Sequence, residues 1–216
     1  MSRTNACLTQ IILERIGQTR RATQTRLDLA DEVIVFGSMA VGLDRPDSDV
    51  DVICIGGPES KLKTDSLDLI VFPRAAARSQ AWLQSELALH VKRYGIWIKG
   101  TPDWINDVQI GQRAIAEKRR RVNAFMRYLP DSWSRLDEGF RVKYSIKVRR
   151  EAQRLLLLSR HVPVPPTRML DESWGDFSAS PHELHELLHG FARHGKSEFS
   201  RRFLDYVDSN LHRCQV

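Results

Sequence analysis

An α+β fold in two parts is what the sequence predicts: a small mixed sheet with flanking helices, followed by an all-α helical domain. Three observations carry the expectation. Short β-branched runs all fall before residue 100, the chain after Pro102 reads as helix only, and the charge divides unevenly between the halves. The formal net charge of +6 belongs wholly to the second half, since residues 1–105 carry 13 basic and 13 acidic side chains. Domains are therefore expected at 1–104 and 105–216.

The elements follow in order. From about Thr4 to Leu29, the apolar residues Leu8, Ile11, Ile12, Ile16 and Leu27 recur at helical spacing with no proline between them, which predicts one amphipathic helix. Val33-Ile34-Val35-Phe36 is a short apolar strand ending at Gly37-Ser38. Val50–Ile55 and Leu67–Phe72 are further runs of that kind, separated by turn-rich pieces at Leu43–Asp47 and Gly56–Ser60. Ala75–Tyr94 reads as a single helix stopped by Gly95, ahead of a last strand at Ile96–Ile98. Beyond Pro102, helices are expected at about Asn106–Leu129, Asp131–Arg160, Pro181–His194 and Lys196–Arg213. Pro163–Pro166 serves as connector, and Ser180-Pro181-His182-Glu183 is a capping signal for the third helix.

Composition narrows the class of protein. Hydrophobic residues at 42% and charged residues at 28% suit a chain with a real core, and no apolar run reaches the roughly 20 residues of a membrane span. Met1–Gln10 lacks the apolar core of a signal peptide, and three scattered cysteines, Cys7, Cys54 and Cys214, suit reduced thiols, so a cytoplasmic protein is expected. The segment Arg113–Arg160 holds 14 basic and 5 acidic residues, which asks for a polyanionic partner or for an extended solvated face.

The chemistry is concentrated in Phe36-Gly37-Ser38, ten residues, then Asp49-Val50-Asp51-Val52. Asp49 and Asp51 lie two apart on a predicted strand and so share a face, where two carboxylates repel unless a cation sits between them. Hard oxygen ligands of this kind suit Mg²⁺, whose remaining positions substrate phosphates and water can fill. Asp68, near the start of the Leu67–Phe72 strand, offers a third carboxylate, with Asp65 as the competing choice, and three on adjacent strands describe a two-metal site. A glycine at a strand end permits close backbone approach, and the turn amides with the Ser38 hydroxyl can take phosphate oxygens. The two parts together predict a bound metal-triphosphate.

In these residues the chain resembles the DNA polymerase β-like nucleotidyltransferase superfamily, whose signature is hydrophobic-Gly-Ser, a spacer of similar length, then Asp-hydrophobic-Asp-hydrophobic and a later strand Asp. The likeness is nearest to the minimal nucleotidyltransferase and aminoglycoside nucleotidyltransferase groups, as in Arg45–Val52, and covers roughly residues 30 to 100, with Gly95-Ile96-Trp97-Ile98 similar to a closing strand. The resemblance implies that Asp49 and Asp51 bind metal, that Asp68 binds the catalytic metal or acts as general base, and that Gly37 and Ser38 hold the triphosphate. It further implies transfer of a nucleoside monophosphate from an NTP, with ATP the foremost donor and Mg²⁺ the cofactor, Mn²⁺ substituting. Met39 and Val41 depart from the pattern, since relatives often place Arg or another polar residue there. Substitute phosphate donors are expected from the helical half, where Lys143, Lys147, Arg150 and Arg154 fall at helical spacing on one face.

The acceptor is the open point. A basic second half disfavours a cationic antibiotic and favours RNA such as tRNA, or a partner protein as in toxin–antitoxin systems that use similar domains. A small-molecule nucleotidyltransferase and a low-turnover binding or antitoxin module remain the alternatives. His182, His185 and His189 have helical spacing, but no Cys or second pair completes a zinc site, so they are read as rim residues of an amphipathic helix. Trp82, Trp97, Trp104, Trp133 and Trp174 are read as packing residues, and Cys54 as buried and inert.

Overall fold

The computed structural model describes residues 5–15, 20–172, 201–202 and 205. The histidine-bearing helix expected at Pro181–His194, together with Trp174 and Cys214, lies outside the described residues. The first helical region is described as α1 (Asn5–Arg15) and α2 (Arg20–Leu29). Then come β1 (Glu32–Phe36), the single turn α3 (Gly37–Ala40), β2 (Val50–Ile55), β3 (Ser60–Lys63) and β4 (Leu67–Phe72). Three helices, α4 (Arg74–Ala77), α5 (Gln80–Leu83) and α6 (Glu86–Tyr94), precede β5 (Ile96–Lys99). The second part contains α7 (Gln112–Ser132), α8 (Glu138–Ser159) and α9 (Thr167–Glu172). By internal contacts the chain divides into compact units at Met1–Gly111 and Gln112–Val216.

The five strands form one mixed sheet in the order β3-β4-β2-β1-β5. β2 and β4 run parallel, and every other neighbouring pair is antiparallel. Alternation sends Val33 and Val35, Val50, Val52 and Cys54, and Leu67, Leu69 and Val71 to one face. There they pack with Leu8 and Ile12 of α1 and Leu27 of α2 into a dry core. The opposite face receives α5 and α6, with Phe72 against Trp82 at 4.8 Å between ring centroids and Phe36 against His90 at 6.1 Å. At its β5 side the sheet is tied by the buried Glu32, whose Oε2 accepts from the indole N–H groups of Trp97 and Trp104, each at 3.2 Å.

Three expectations are corrected. The single helix at Ala75–Tyr94 is broken twice, because Ser79 and Ser85 turn their hydroxyls onto the backbone N–H groups of Trp82 (3.2 Å) and Ala88 (3.0 Å). Each therefore starts a new helix. The helix expected from Asn106 begins at Gln112. A 3₁₀ turn at Ile105–Asp107 intervenes, and Val108 and Gln109 are held to the first unit by Lys92 Nζ on the Val108 carbonyl (3.0 Å) and by the Gln109 N–H on the Leu83 carbonyl (3.2 Å). The following helix starts at Glu138, where Asp137 caps the N–H of Phe140 at 2.9 Å. β3 was not expected at all. Among the described residues no helix is long and apolar enough to cross a membrane.

Candidate active site

Register builds the site. Phe36 pairs with Asp51 across β1 and β2, Asp51 with Asp68 across β2 and β4, and Lys63 with Asp68 across β3 and β4. Paired residues in neighbouring strands share a face, so Lys63, Asp68, Asp51 and Phe36 form one transverse row across four strands, on the face turned away from the aliphatic core. Asp49, just ahead of β2, sits close enough to act on Asp51 electrostatically. The sheet therefore gathers all three sequence-predicted carboxylates at one end. Asp65 instead lies exposed in the tight β3–β4 turn, where the Thr64 N–H donates to the Leu67 carbonyl at 2.8 Å and Thr64 Oγ1 accepts from the Leu67 N–H at 3.1 Å.

The electrostatics of the row are those of crowded, desolvated acids. Burial, then Asp49, then Asp68, push the Asp51 carboxyl up to about 7, against weaker opposition from Lys63 and Lys61. Asp68 is buried to 14% side-chain exposure. Lys63 Nζ donates to its Oδ2 at 2.9 Å, and Lys61 Nζ stands 3.6 Å from Oδ1. That second distance is too long for a hydrogen bond, and Asp68 Oδ1 is left buried without a partner. Lys63 is held above the usual lysine range, first by its bond to Asp68 and then by the fields of Asp68, Asp49 and Asp51.

Gly37 completes this end of the sheet. Its φ is +71°, a left-handed conformation suited to glycine, and a Cβ built there would fall on Oδ2 of Asp51. The chain thus turns out of β1 with bare backbone against the carboxylate. Ser38 follows in α3, its carbonyl accepting from the N–H of Leu43 at 2.9 Å. Met39, one of the two departures from the expected loop chemistry, is buried in the core with Val50 and Leu67, so its side chain offers nothing to a ligand. Arg45–Ser48 is a small turn closed by the Ser48 hydroxyl on the Arg45 N–H at 2.8 Å, with Asp47 exposed on it. Cys54, at the far end of β2, is buried, which pushes its thiol up to about 12 and leaves it protonated and unreactive.

The residues fit a divalent cation by their chemistry. A carboxylate that resists ionising alone and a buried carboxylate oxygen without a partner are both relieved by positive charge. Among the described residues no three His, Cys, Asp or Glu side chains close into a cage by themselves, and Lys63 at present takes the cation's part at Asp68.

Lys143 and Lys147 lie in the second unit. With Ile146, Arg150, Glu151, Arg154 and Thr167 they line a cavity of about 520 Å³. Arg150 is engaged by Asp171, and Arg154 by Glu151 (2.9 Å) and Thr167 (2.8 Å). Lys147 lies 5.6 Å from the ring centroid of Phe125, and neither it nor Lys143 has an ion-pair partner among the described residues. Of the basic run on α7, Lys118 is buried against Glu151 at 2.9 Å, whereas Arg119, Arg120 and Arg121 are exposed. The residues the sequence reading missed are Lys61 and Lys63. Their only signal was a Lys-Leu-Lys alternation ahead of the Thr64–Ser66 turn.

A mixed sheet carrying a glycine turn and clustered carboxylates at one end defines a group-transfer enzyme of the nucleotidyl type. Residues 16–152, more than half of the chain, match the nucleotidyltransferase domain family, and the chain belongs to that family and is a transferase. Among solved structures it is similar to the spectinomycin adenyltransferase AAD(9) from Enterococcus faecialis with ATP and spectinomycin. That pair is 14% identical over 92% of this chain and 98% of that one, at a TM-score of 0.46. A toxin-antitoxin structure with AMP-PNP is 14% identical over 57% of this chain and 97% of that chain, at a TM-score of 0.27. No curated protein sequence matches.

Proposed function

We propose that the chain transfers a nucleoside monophosphate from a nucleoside triphosphate, ATP foremost, to an acceptor hydroxyl, releasing pyrophosphate. The observation that carries this reading is the transverse row in which Asp51 and Asp68 stand in register with Asp49 beside them, all within one electrostatic field. Asp49, Asp51 and Asp68 would hold Mg²⁺, with Mn²⁺ as substitute, and the bound metal would make the acceptor hydroxyl more acidic and neutralise the triphosphate. Asp68, with one oxygen unpartnered, receives the hydroxyl proton. The acceptor oxygen bonds to the α-phosphorus as the bond to the bridging oxygen breaks, and that oxygen leaves on pyrophosphate.

Gly37 and Ser38 cradle the phosphates, the glycine by admitting close backbone approach and the serine through its hydroxyl and amide. Lys143 and Lys147 are proposed as further nucleotide-binding residues, and acceptor selection as the role of the helical unit. The excess positive charge of Arg113–Arg160 favours an RNA acceptor such as tRNA, or an acidic partner protein, over a cationic antibiotic.

Incubation with Mg²⁺ and each labelled nucleoside triphosphate, with and without total tRNA, tests the reading. Label should move to an acceptor with the wild type and be lost in Asp49→Ala and Asp51→Ala. Failure of every nucleotide to bind in the presence of Mg²⁺ would overturn it. Transfer to an aminoglycoside or other small molecule, with tRNA and proteins unlabelled, would place the enzyme with the antibiotic-type transferases instead.

A further inference from the structure

The carboxylate row has a direction. From the outermost strand inward it runs through Lys63 on β3, Asp68 on β4, Asp51 on β2 and Phe36 on β1, with the Gly37–Ser38 turn at its far end. In-line displacement at phosphorus sets the entering and leaving oxygens on opposite sides. With the phosphates on the Gly37–Ser38 turn, pyrophosphate departs toward β1 and the acceptor hydroxyl comes in on the side of Asp68. That side is flanked by β3. Lys61 and Lys63 alternate with Leu62, which packs on the core side, so both lysines fall on the face of Asp68. β3 is the outermost strand on its side of the sheet, and the two lysine side chains are 60% and 63% exposed. Their ammonium groups straddle a single two-oxygen anion: Lys63 Nζ donates to Asp68 Oδ2 at 2.9 Å, and Lys61 Nζ stands 3.6 Å from Oδ1.

We propose that Lys61 and Lys63 bind the acceptor, and that the anion they take is the last phosphodiester of an RNA whose terminal ribose carries the reacting hydroxyl. This rests on the reading of Asp68 as the group that receives the hydroxyl proton. A phosphodiester presents two unesterified oxygens, the arrangement the lysines already straddle at Asp68, and in a terminal nucleotide it is joined to the same sugar as the hydroxyl. One anion then replaces another. When Asp68 turns to a cation or to the acceptor's proton, the ammonium groups lose the charge that holds them, and the phosphodiester restores it. A lysine ammonium on a flexible four-carbon stem suits such a change of partner, being a compact charge with no fixed bidentate geometry to break. Ion pairs with one partner this exposed are weak, so little resists the exchange. A cationic acceptor would instead bring its charge against two ammonium groups beside the reacting hydroxyl, and is selected against. RNA is favoured over an acidic protein because a strand end fixes hydroxyl and phosphate on one sugar, and because the charge excess of Arg113–Arg160 suits a polyanion.

Fluorescence anisotropy on the full chain tests the assignment, with Mg²⁺ and an ATP analogue whose α,β-bridge is methylene, so that no transfer occurs. The probe is a short single-stranded RNA with a free terminal ribose and its dye at the other end, and a second probe carries an uncharged methylphosphonate at the last linkage. The Lys61→Met/Lys63→Met double variant should bind the first RNA about tenfold more weakly than wild type, from the loss of charged hydrogen bonds. The uncharged linkage should cost the wild type about as much and the double variant less than about twofold further, as a direct contact requires. Lys61→Arg/Lys63→Arg, which keeps the charge, should recover most of the loss. Calorimetry should find magnesium-ATP bound by the double variant no more weakly than by wild type, and thermal melts within about 2 °C of wild type show that the fold is intact. Equal losses from the uncharged linkage in both proteins, or full RNA affinity in the double variant, overturn the assignment. So does a wild type that transfers label to a protein or a small molecule and does not bind the RNA, and so does weaker magnesium-ATP binding by the double variant, which would return the lysines to the donor. In each of these cases the nucleotidyltransferase reading stands, and it fails with the proposal only if the wild type binds no triphosphate.

Discussion

Asp51 is held in the fold at a cost, and Asp51→Asn should reveal its size. In the metal-free protein the carboxyl titrates at about 7 instead of 3.8. Below pH 3.8 it is protonated in both the folded and unfolded chain, and no penalty exists. Between 3.8 and about 7 the unfolded chain has released the proton that the folded chain keeps, so stability falls as the pH rises, and above 7 the loss is complete. At 1.36 kcal/mol for each pH unit between the two values, the loss comes to about 4 kcal/mol at most. Asparagine keeps the shape and cannot ionise. Measured by urea denaturation in EDTA at constant ionic strength, the stability gap between Asp51→Asn and wild type should grow in favour of the variant by about 3 kcal/mol from pH 5 to pH 8. Comparing the two proteins cancels the histidines, which titrate in both. Adding Mg²⁺ at pH 8 should stabilise the wild type and leave the variant where it was. A gap that stays constant within about 0.5 kcal/mol across this range would refute the claim that Asp51 is the strained acid of the row.

The other expectations concern the glycine turn and the helical unit. Gly37→Ala meets both an unfavourable φ and the Asp51 carboxylate, so it should lower unfolding stability by about 1–2 kcal/mol from the backbone alone and reduce label transfer far more than Gly42→Ala does. Gly42 is the fitting control because it has a similar positive φ and open space at its Cβ. Lys118→Met should cost about 3 kcal/mol, because it strips one partner from the buried Glu151, whereas substituting the exposed Arg120 should move stability by less than about 0.5 kcal/mol. Equal effects of the Lys118 and Arg120 changes in urea denaturation would count against a buried pair.

What the sequence disclosed of the fold follows from where apolar patterning was strong. β2 and β4 have the expected bounds, Val50–Ile55 and Leu67–Phe72, because each is an unbroken run of β-formers between turn residues. The same patterning misled where it was continuous across a break. Ala75–Tyr94 keeps helical spacing through Ser79 and Ser85, and only the turn of each hydroxyl onto the backbone ends one helix and starts the next. β3 could not be seen by hydrophobicity, since Ser60-Lys61-Leu62-Lys63 holds a single apolar residue. It is a strand because β4 offers it a free edge, and lysines are a common edge residue that discourages further pairing.

The same blind spot explains what was and was not legible in the site. Asp49 and Asp51 stood out because a charged pair beside and within an apolar strand demands a cation, and Asp68 because it opens another such strand. The register that sets Asp68 opposite Asp51, instead of one residue away on the other face, is a tertiary fact that periodicity could only permit. Lys61 and Lys63 are inconspicuous because lysine on a polar segment is ordinarily a solvated side chain, whereas the basic residues of α8 stand out by their number. Lys61 and Lys63 set the local charge balance at Asp68, because electrostatic strength depends on separation and on exclusion of water, not on the number of charges in a segment. The inconspicuous edge strand and the conspicuous acids are thus parts of one arrangement, in which the lysines offset part of the repulsion among the carboxylates.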